Sequence, residues 1–289
     1  MTPTAFAPAK VNLFLHVAPP TPDGFHPLSS LMVFADVGDQ IALSPCDQLE
    51  LVIDGPFGAG LEVSADNLVL RAVRAVFEAV NAPPPEVRLT LTKRLPIAAG
   101  LGGGSSDAGA ALGLVRDHYR LGLDDGALER IAAGLGSDGA ACFRQRALIA
   151  RGRGERLSAA PAMPPLDAVL VNPGVPSPTG AVYRAYDEAG APGNDHTPDL
   201  PARFEDAVTA ASFFSACRND LEAPAVALTP RIGEVLAILR AGPEALLARV
   251  SGSGATCFAL CADAAHAEAL VDRLRGAHPD WWVRACRLG

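Results

Sequence analysis

The residues with the clearest chemical potential lie in one stretch, Leu95-Pro96-Ile97-Ala98-Ala99-Gly100-Leu101-Gly102-Gly103-Gly104-Ser105-Ser106-Asp107, which opens into an alanine-rich run. Glycines let the backbone take positive φ and let a bulky anion approach its N–H groups, while a helix N-terminus adds unpaired donors and partial positive charge. Together they make a phosphate cradle built from backbone. A glycine loop capped by Ser105 or Ser106 that binds nothing is the plainer alternative, but four glycines within residues 100–104 exceed what a cap needs. No Lys follows the glycines as in a P-loop, and G-x-G-x-x-G is not met. A nucleotide held here would belong to another class.

Lys10 and Asn12 lie two apart on an alternating segment, Val11–Val17, so they point the same way. An ammonium and an amide so placed could hold an oxygen-rich substrate, although a solvated strand face has the same pattern and is preferred on the strand alone. Lys10 and Lys93 are the only lysines among 24 Lys and Arg residues. For Lys93, beside Arg94, chance in an arginine-biased composition is the preferred explanation. Asp138, between glycines, could cap or form a turn. It could also accept a hydroxyl proton, provided that a cation such as Lys10 keeps it ionised and oriented. Phe25 and His26 follow the turn Thr21-Pro22-Asp23-Gly24. An aromatic and an imidazole there could stack on a base and bond its edge, or Phe25 could be a core anchor.

These residues need elements to carry them. After the first strand, strand-like segments are expected at 31–35, 40–43 and 49–53, and a helix after Asp66-Asn67 that stops at Pro83-Pro84-Pro85. Residues 87–91 form a strand that delivers the glycine loop, and a helix runs from Ser105 to about 119–122. A short helix at 128–135 then leads to Gly136-Ser137-Asp138-Gly139. Strands at 147–150 and 156–157 close the first half, with 159–165 as linker. The second half reads as a strand at 166–171, helices at 181–188 and over much of 204–214, a helix begun by Thr229-Pro230, strands at 246–250 and 255–260, a helix at 264–274 and a strand at 282–286. That order is ferredoxin-like with added helices. The polar stretch 190–201 is expected to be a mobile loop without chemistry. The class is therefore α+β, with domains at 1–160 and 161–289.

Composition narrows the function. At 289 residues with 49% hydrophobic and 19% charged, the chain suits two globular domains. Its formal net charge of −8 argues against a sequence-independent grip on nucleic acid. Six cysteines without a C-x-x-C pair predict a reduced, cytoplasmic protein with no structural zinc. Neither a signal peptide nor a membrane span is expected.

Three motifs in order, Pro8-Ala9-Lys10-Val11-Asn12, Pro96 through Ala108, and Val250-Ser251-Gly252-Ser253-Gly254-Ala255, resemble those of the GHMP superfamily of small-molecule kinases. Asp23-Gly24-Phe25-His26 and Asn219-Asp220-Leu221-Glu222 make the chain similar to the branch that phosphorylates the 2-hydroxyl of a cytidine-diphosphate-linked methylerythritol. The resemblance implies a two-lobed fold, an N-terminal lobe like domain 2 of ribosomal protein S5 and a ferredoxin-like C-terminal lobe that completes the active-site cleft. It implies ATP and Mg²⁺, with Pro96 to Ser106 around the ATP phosphates, Asn67 near the adenosine and Ser105 or Ser106 on the metal side. Asp138 would be the base and Lys10 its partner. Asn12, Phe25, His26, Thr179 and Tyr183 would meet the substrate. The partners implied are small molecules only, with the protein a monomer or weak homodimer. Two departures stand out: the family usually has Tyr at Phe25, and a branched residue and Pro where Gly139-Ala140 stand here, which predicts a looser backbone at Asp138.

Overall fold

The structure, a computed structural model, describes residues 2–59, 61 and 63–289. In chain order the first elements are β1 (Thr4–Val17), β2 (Leu28–Pro45), β3 (Glu50–Asp54), α1 (Leu68–Ala79), β4 (Val87–Thr92) and α2 (Gly103–Tyr119). Next come α3 (Asp125–Leu135), α4 (Gly139–Arg144), β5 (Leu148–Gly152), β6 (Arg156–Ala159), β7 (Leu166–Asn172) and α5 (Thr179–Glu188). The last are α6 (Ala207–Ser215), α7 (Glu222–Leu228), α8 (Pro230–Ala241), β8 (Ala245–Val250), β9 (Cys257–Cys261), α9 (Ala264–Ala277) and β10 (Trp282–Leu288).

These elements form two compact units, each drawn from separate segments. The first comprises the chain up to Ala9, Gly38–Ile97 and Gly102–Gln145. In it β4 pairs antiparallel with the second half of β2 and parallel with β3. α1 buries Val69, Val73, Val76 and Phe77, one face at helical spacing, in a core with Leu89, Leu91, Ala111 and Leu112. α2 is rich in small residues because it is crowded. A Cβ on Gly109 would stand 2.9 Å from the Cys142 carbonyl oxygen of α4.

The expected strands at 31–35 and 40–43 are one continuous strand, β2. Gly38 and Asp39 resemble turn signals, yet neither makes a turn. Gly38 is required by close approach, since its Cβ would lie 2.2 Å from Ala7 O, and the Asp39 side chain is wholly buried.

The second unit comprises Lys10–Val37, Ala98–Leu101 and Arg146–Gly289. Its antiparallel strands run in the order β10-β7-β9-β8, with α9 between β9 and β10 in sequence and four helices between β7 and β8. That is the expected ferredoxin-like order with added helices. Its core joins Val169 and Val171 of β7 to Val235 and Leu239 of α8 and Leu270 and Leu274 of α9. The β5–β6 hairpin pairs with the first half of β2. α4 and α7, six and seven residues long, were not expected.

The loop over 190–201 has no regular secondary structure, but it is fastened rather than mobile. Gly193 N donates to Tyr186 Oη at 2.9 Å, His16 Nδ1 donates to His196 O at 2.7 Å, and Thr197 Oγ1 meets Ser29 and Arg151.

Candidate active site

The expected solvated face of the first strand is absent. Both faces of β1 are covered from Ala7 onward, and Lys10, Asn12 and His16 are each at most 4% exposed. A buried ammonium needs acceptors. Lys10 Nζ donates to Asn12 Oδ1 at 2.7 Å, and Asn12 Nδ2 donates to Ser30 Oγ at 2.7 Å. The shared direction inferred from their spacing is therefore present, and it orients the two side chains as one unit.

The glycine-rich stretch is held through its carbonyls. Those of Ala98, Ala99, Gly100 and Leu101 accept from Ser177 N, Thr256 N, Ser251 Oγ and Lys10 N at 3.4, 3.0, 2.9 and 2.8 Å. In a trans peptide the N–H lies opposite the C=O. Tying down four successive carbonyls therefore points the amides of Ala99, Gly100, Leu101 and Gly102 each away from the anchor of its own peptide. Ala98, Gly100 and Gly102 take left-handed φ of 50°, 73° and 64°, and left-handed residues alternating along a chain are the general way in which successive N–H groups curl into a concavity that suits an anion. Gly100 also admits the final glycine turn, because a Cβ there would meet Ser251 O at 2.2 Å.

α2 begins at Gly103, two residues earlier than expected, with Gly102 as N-cap and no side-chain cap bond. Neither Ser105 nor Ser106 caps the helix. Ser105 is half-buried, whereas Ser106 Oγ is buried without a hydrogen-bond partner. Asn67, in the same unit, caps α1 by accepting from Val69 N at 2.9 Å.

Asp138 stands at the N-cap position of α4, but its side chain makes no capping bond, so the turn-former explanation does not account for its carboxylate. Nor is its backbone loose. Its carbonyl accepts from Cys142 N at 2.8 Å, and a Cβ on Gly139 would lie 1.9 Å from Ala132 O. Gly139 lets α4 press against α3, and that contact fixes the residue before it.

Phe25 is not a core anchor. It is 53% exposed, with the Arg153 guanidinium 3.9 Å from its ring centroid. The two border a cleft of about 450 Å³, also lined by Pro22, Pro27 and Arg156. His26 packs 4.9 Å from the Tyr183 ring, donates from Nδ1 to Ala18 O at 3.0 Å and has Nε2 3.3 Å from the exposed Asp187 carboxylate. Thr179, one helical turn before Tyr183 on α5, meets Ser253 Oγ at 2.9 Å.

Lys93 is not a chance surface lysine. It is 4% exposed between the carboxylates of Asp39 and Asp107.

Residues 67–146 match the GHMP kinases N terminal domain and residues 201–280 match the GHMP kinases C terminal domain. A 4-diphosphocytidyl-2-C-methyl-D-erythritol kinase of Caulobacter vibrioides (strain NA1000 / CB15N) is 61% identical over 286 residues, 99% of each chain. The chain belongs to this GHMP kinase family. A crystal structure of 4-(cytidine 5'-diphospho)-2C-methyl-D-erythritol kinase matches with TM-score 0.79 and 36% identity over 99% of both chains. That of homoserine kinase from Cytophaga hutchinsonii matches with TM-score 0.69 over 98% and 94%, and at 16% identity it shows the fold alone. The chain is therefore an ATP-dependent small-molecule kinase with the GHMP-kinase fold.

Hydrogen bonds give a role to residues that had only a motif in the sequence. Asn219 Nδ2 donates to Val250 O and Gly252 O at 2.9 and 2.7 Å, and Glu222 accepts from Val250 N at 3.0 Å. The Asn219-Asp220-Leu221-Glu222 motif thus holds the final glycine turn. Ser177 and Thr256, which fix the loop carbonyls, had no sequence signal, because single hydroxyl residues far away in the chain carry no periodicity.

Proposed function

We propose that the protein transfers the γ-phosphoryl of ATP to the 2-hydroxyl of 4-diphosphocytidyl-2-C-methyl-D-erythritol, giving the 2-phosphate and ADP in the non-mevalonate isoprenoid pathway. The observation that carries the phosphate half is the set of four anchored carbonyls at Ala98–Leu101, which aims four amides away from their anchors. Phosphoryl transfer depends on position and charge, and preorganised amides supply both. Pro96 to Ser106 hold the phosphates, and Asn67 lies near the adenosine. Asp138 accepts the hydroxyl proton as the new O–P bond forms and the bond to ADP breaks. Lys10 orients the hydroxyl, and Asn12 contacts the substrate. Phe25 stacks on the cytosine, His26 bonds its edge by exchanging Asp187 for the base, and Thr179 and Tyr183 line the substrate side.

Among the described residues no cluster of three or more His, Cys, Asp or Glu could hold a metal. Mg²⁺ would instead come with the ATP phosphates, as is usual for this ion, and Ser105 or the unpartnered Ser106 hydroxyl fits a place on its coordination shell. Bound there, it neutralises phosphate charge. No helix among the described residues is long and apolar enough to cross a membrane. We place the reaction in the cytoplasm and the protein as a monomer or weak homodimer.

The test is ADP release by the purified protein with Mg²⁺–ATP and, in parallel, the cytidyl compound, mevalonate and homoserine. Turnover is expected with the first alone. Turnover with mevalonate or homoserine but not the cytidyl compound would overturn the substrate.

A further inference from the structure

Lys93 lies at the entry to the glycine-rich loop, just past β4. Its Nζ donates to Asp39 Oδ2 at 2.5 Å and to Asp107 Oδ2 at 2.7 Å, and all three side chains are at most 5% exposed. Asp39 uses its other oxygen to accept from the backbone N–H groups of Arg94 and Leu95 at 2.5 and 2.9 Å. Asp107 belongs to the opening turns of α2. Lys93 therefore bridges the chain that enters the loop and the helix that leaves it.

The residue types are specific to the space. A Cβ on Gly103 would come within 3.3 Å of Nζ, so the ammonium packs tightly against the start of α2, and its compact point charge is not interchangeable with a planar guanidinium. A chain that uses arginine for nearly every other basic position keeps lysine here. Burying one cation with two anions is costly and could be replaced by apolar packing if cohesion were the only need. Asp107 Oδ1 and Ser106 Oγ, both buried without a hydrogen-bond partner, lie at the same helix start.

We propose that Lys93 is a positioning residue for the nucleotide, holding the two ends of the loop at fixed separation through Asp39 and Asp107 so that the α2 amides stay aimed at the phosphates. This rests on reading the loop as the ATP site. The Lys93 ammonium is taken up by Asp39 and Asp107. Its effect passes through the backbone of Arg94, Leu95 and the first turn of α2.

Two variants test it. Lys93→Met removes the bridge, and Asp39→Asn keeps an acceptor for Arg94 and Leu95 while turning a donor toward Nζ. Each is expected to raise the KM for ATP about tenfold or more, with the KM of the acceptor alcohol within about twofold of the unaltered protein. A merely structural clip would move both constants together or neither, and either result in a folded variant overturns the proposal. Should both variants fail to fold, hydrogen exchange on the unaltered protein decides, with a non-hydrolysable ATP analogue and Mg²⁺ as probe. Protection at Arg94 and Leu95 is expected to rise together with that at the start of α2. Protection confined to α2 would overturn the proposal. If the unaltered protein binds no nucleotide, the ATP-site reading itself fails, a result distinct from both.

Discussion

A Cβ placed on Gly100 would stand 2.2 Å from the carbonyl oxygen of Ser251, far inside contact distance. The glycine-rich loop and the final glycine turn are thus interlocked backbone to backbone, with Ser251 Oγ donating to Gly100 O and Asn12 N donating to Ser251 Oγ at 3.4 Å. Gly100→Ala adds a left-handed alanine, costing about 1–2 kcal/mol, on top of that overlap. Loss of at least about 2 kcal/mol of stability is expected, together with a raised KM for ATP. Denaturant unfolding and steady-state kinetics check both. Wild-type stability in Gly100→Ala would mean that the two turns can separate freely.

Such an interlock has no local signature, since residues 100 and 251 are joined only by the fold. What was legible was local. The period of residues 68–80 and the Thr229-Pro230 start correspond to α1 and α8, because caps and spacing act within a few residues. The alternation along β1 gave the right partners, Lys10 and Asn12, but the wrong environment. Alternating polarity indicates water only where one sheet face is wet, and here the polar face is buried. Lys93 carries no local signal of its role, because its two carboxylates lie 54 and 14 residues away. α4 and α7 are too short for a helical period to appear.

The Arg153 guanidinium covers one face of Phe25 and also bonds to Asp23, whose carboxyl pKa is held down by the Thr21 hydroxyl and the Phe25 N–H as well as by Arg153. Asp23 Oδ1 accepts from Phe25 N, so the turn, the ring and the cation form one assembly. Arg153→Met should raise the KM for the cytidyl substrate about two- to fivefold by freeing the ring, with kcat at saturation unchanged. Phe25→Ala should raise it more, and Phe25→Tyr should be tolerated. Initial-rate kinetics at saturating ATP suffice. An unaltered KM in Arg153→Met would show that the ring needs no such support.

Burial and the nearby Asp39 charge raise the Asp107 pKa, against the opposing pull of Lys93, to about 7. In the unfolded chain an aspartate titrates near 4. The folded state therefore binds more protons between those two values, and stability falls as pH rises through that window. This group can contribute at most about 1.4 kcal/mol per pH unit. Asp107→Asn cannot ionise and is expected to lose that slope. Its stability relative to wild type should be better at pH 8 than at pH 5.5. Urea unfolding at the two pH values reads the difference, and parallel pH curves for the two proteins would show that Asp107 titrates normally.

Asp138 offers the sharpest division between binding and chemistry. Its side chain plays no part in capping α4, while Gly139 locks its backbone against Ala132. Asp138→Asn preserves shape and fold but cannot take a proton from an alcohol. A kcat loss of about 10²–10⁴-fold is expected, with the KM for ATP within about threefold of wild type. Gly139→Ala, by contrast, must displace Asp138 or push α3 away, since no Cβ fits 1.9 Å from a carbonyl oxygen. It should lower kcat as well as stability. If Asp138→Asn turned over at a near-normal rate while Gly139→Ala was inactive, the proton would have to leave by a route other than this carboxylate, and α4 would matter for its packing alone.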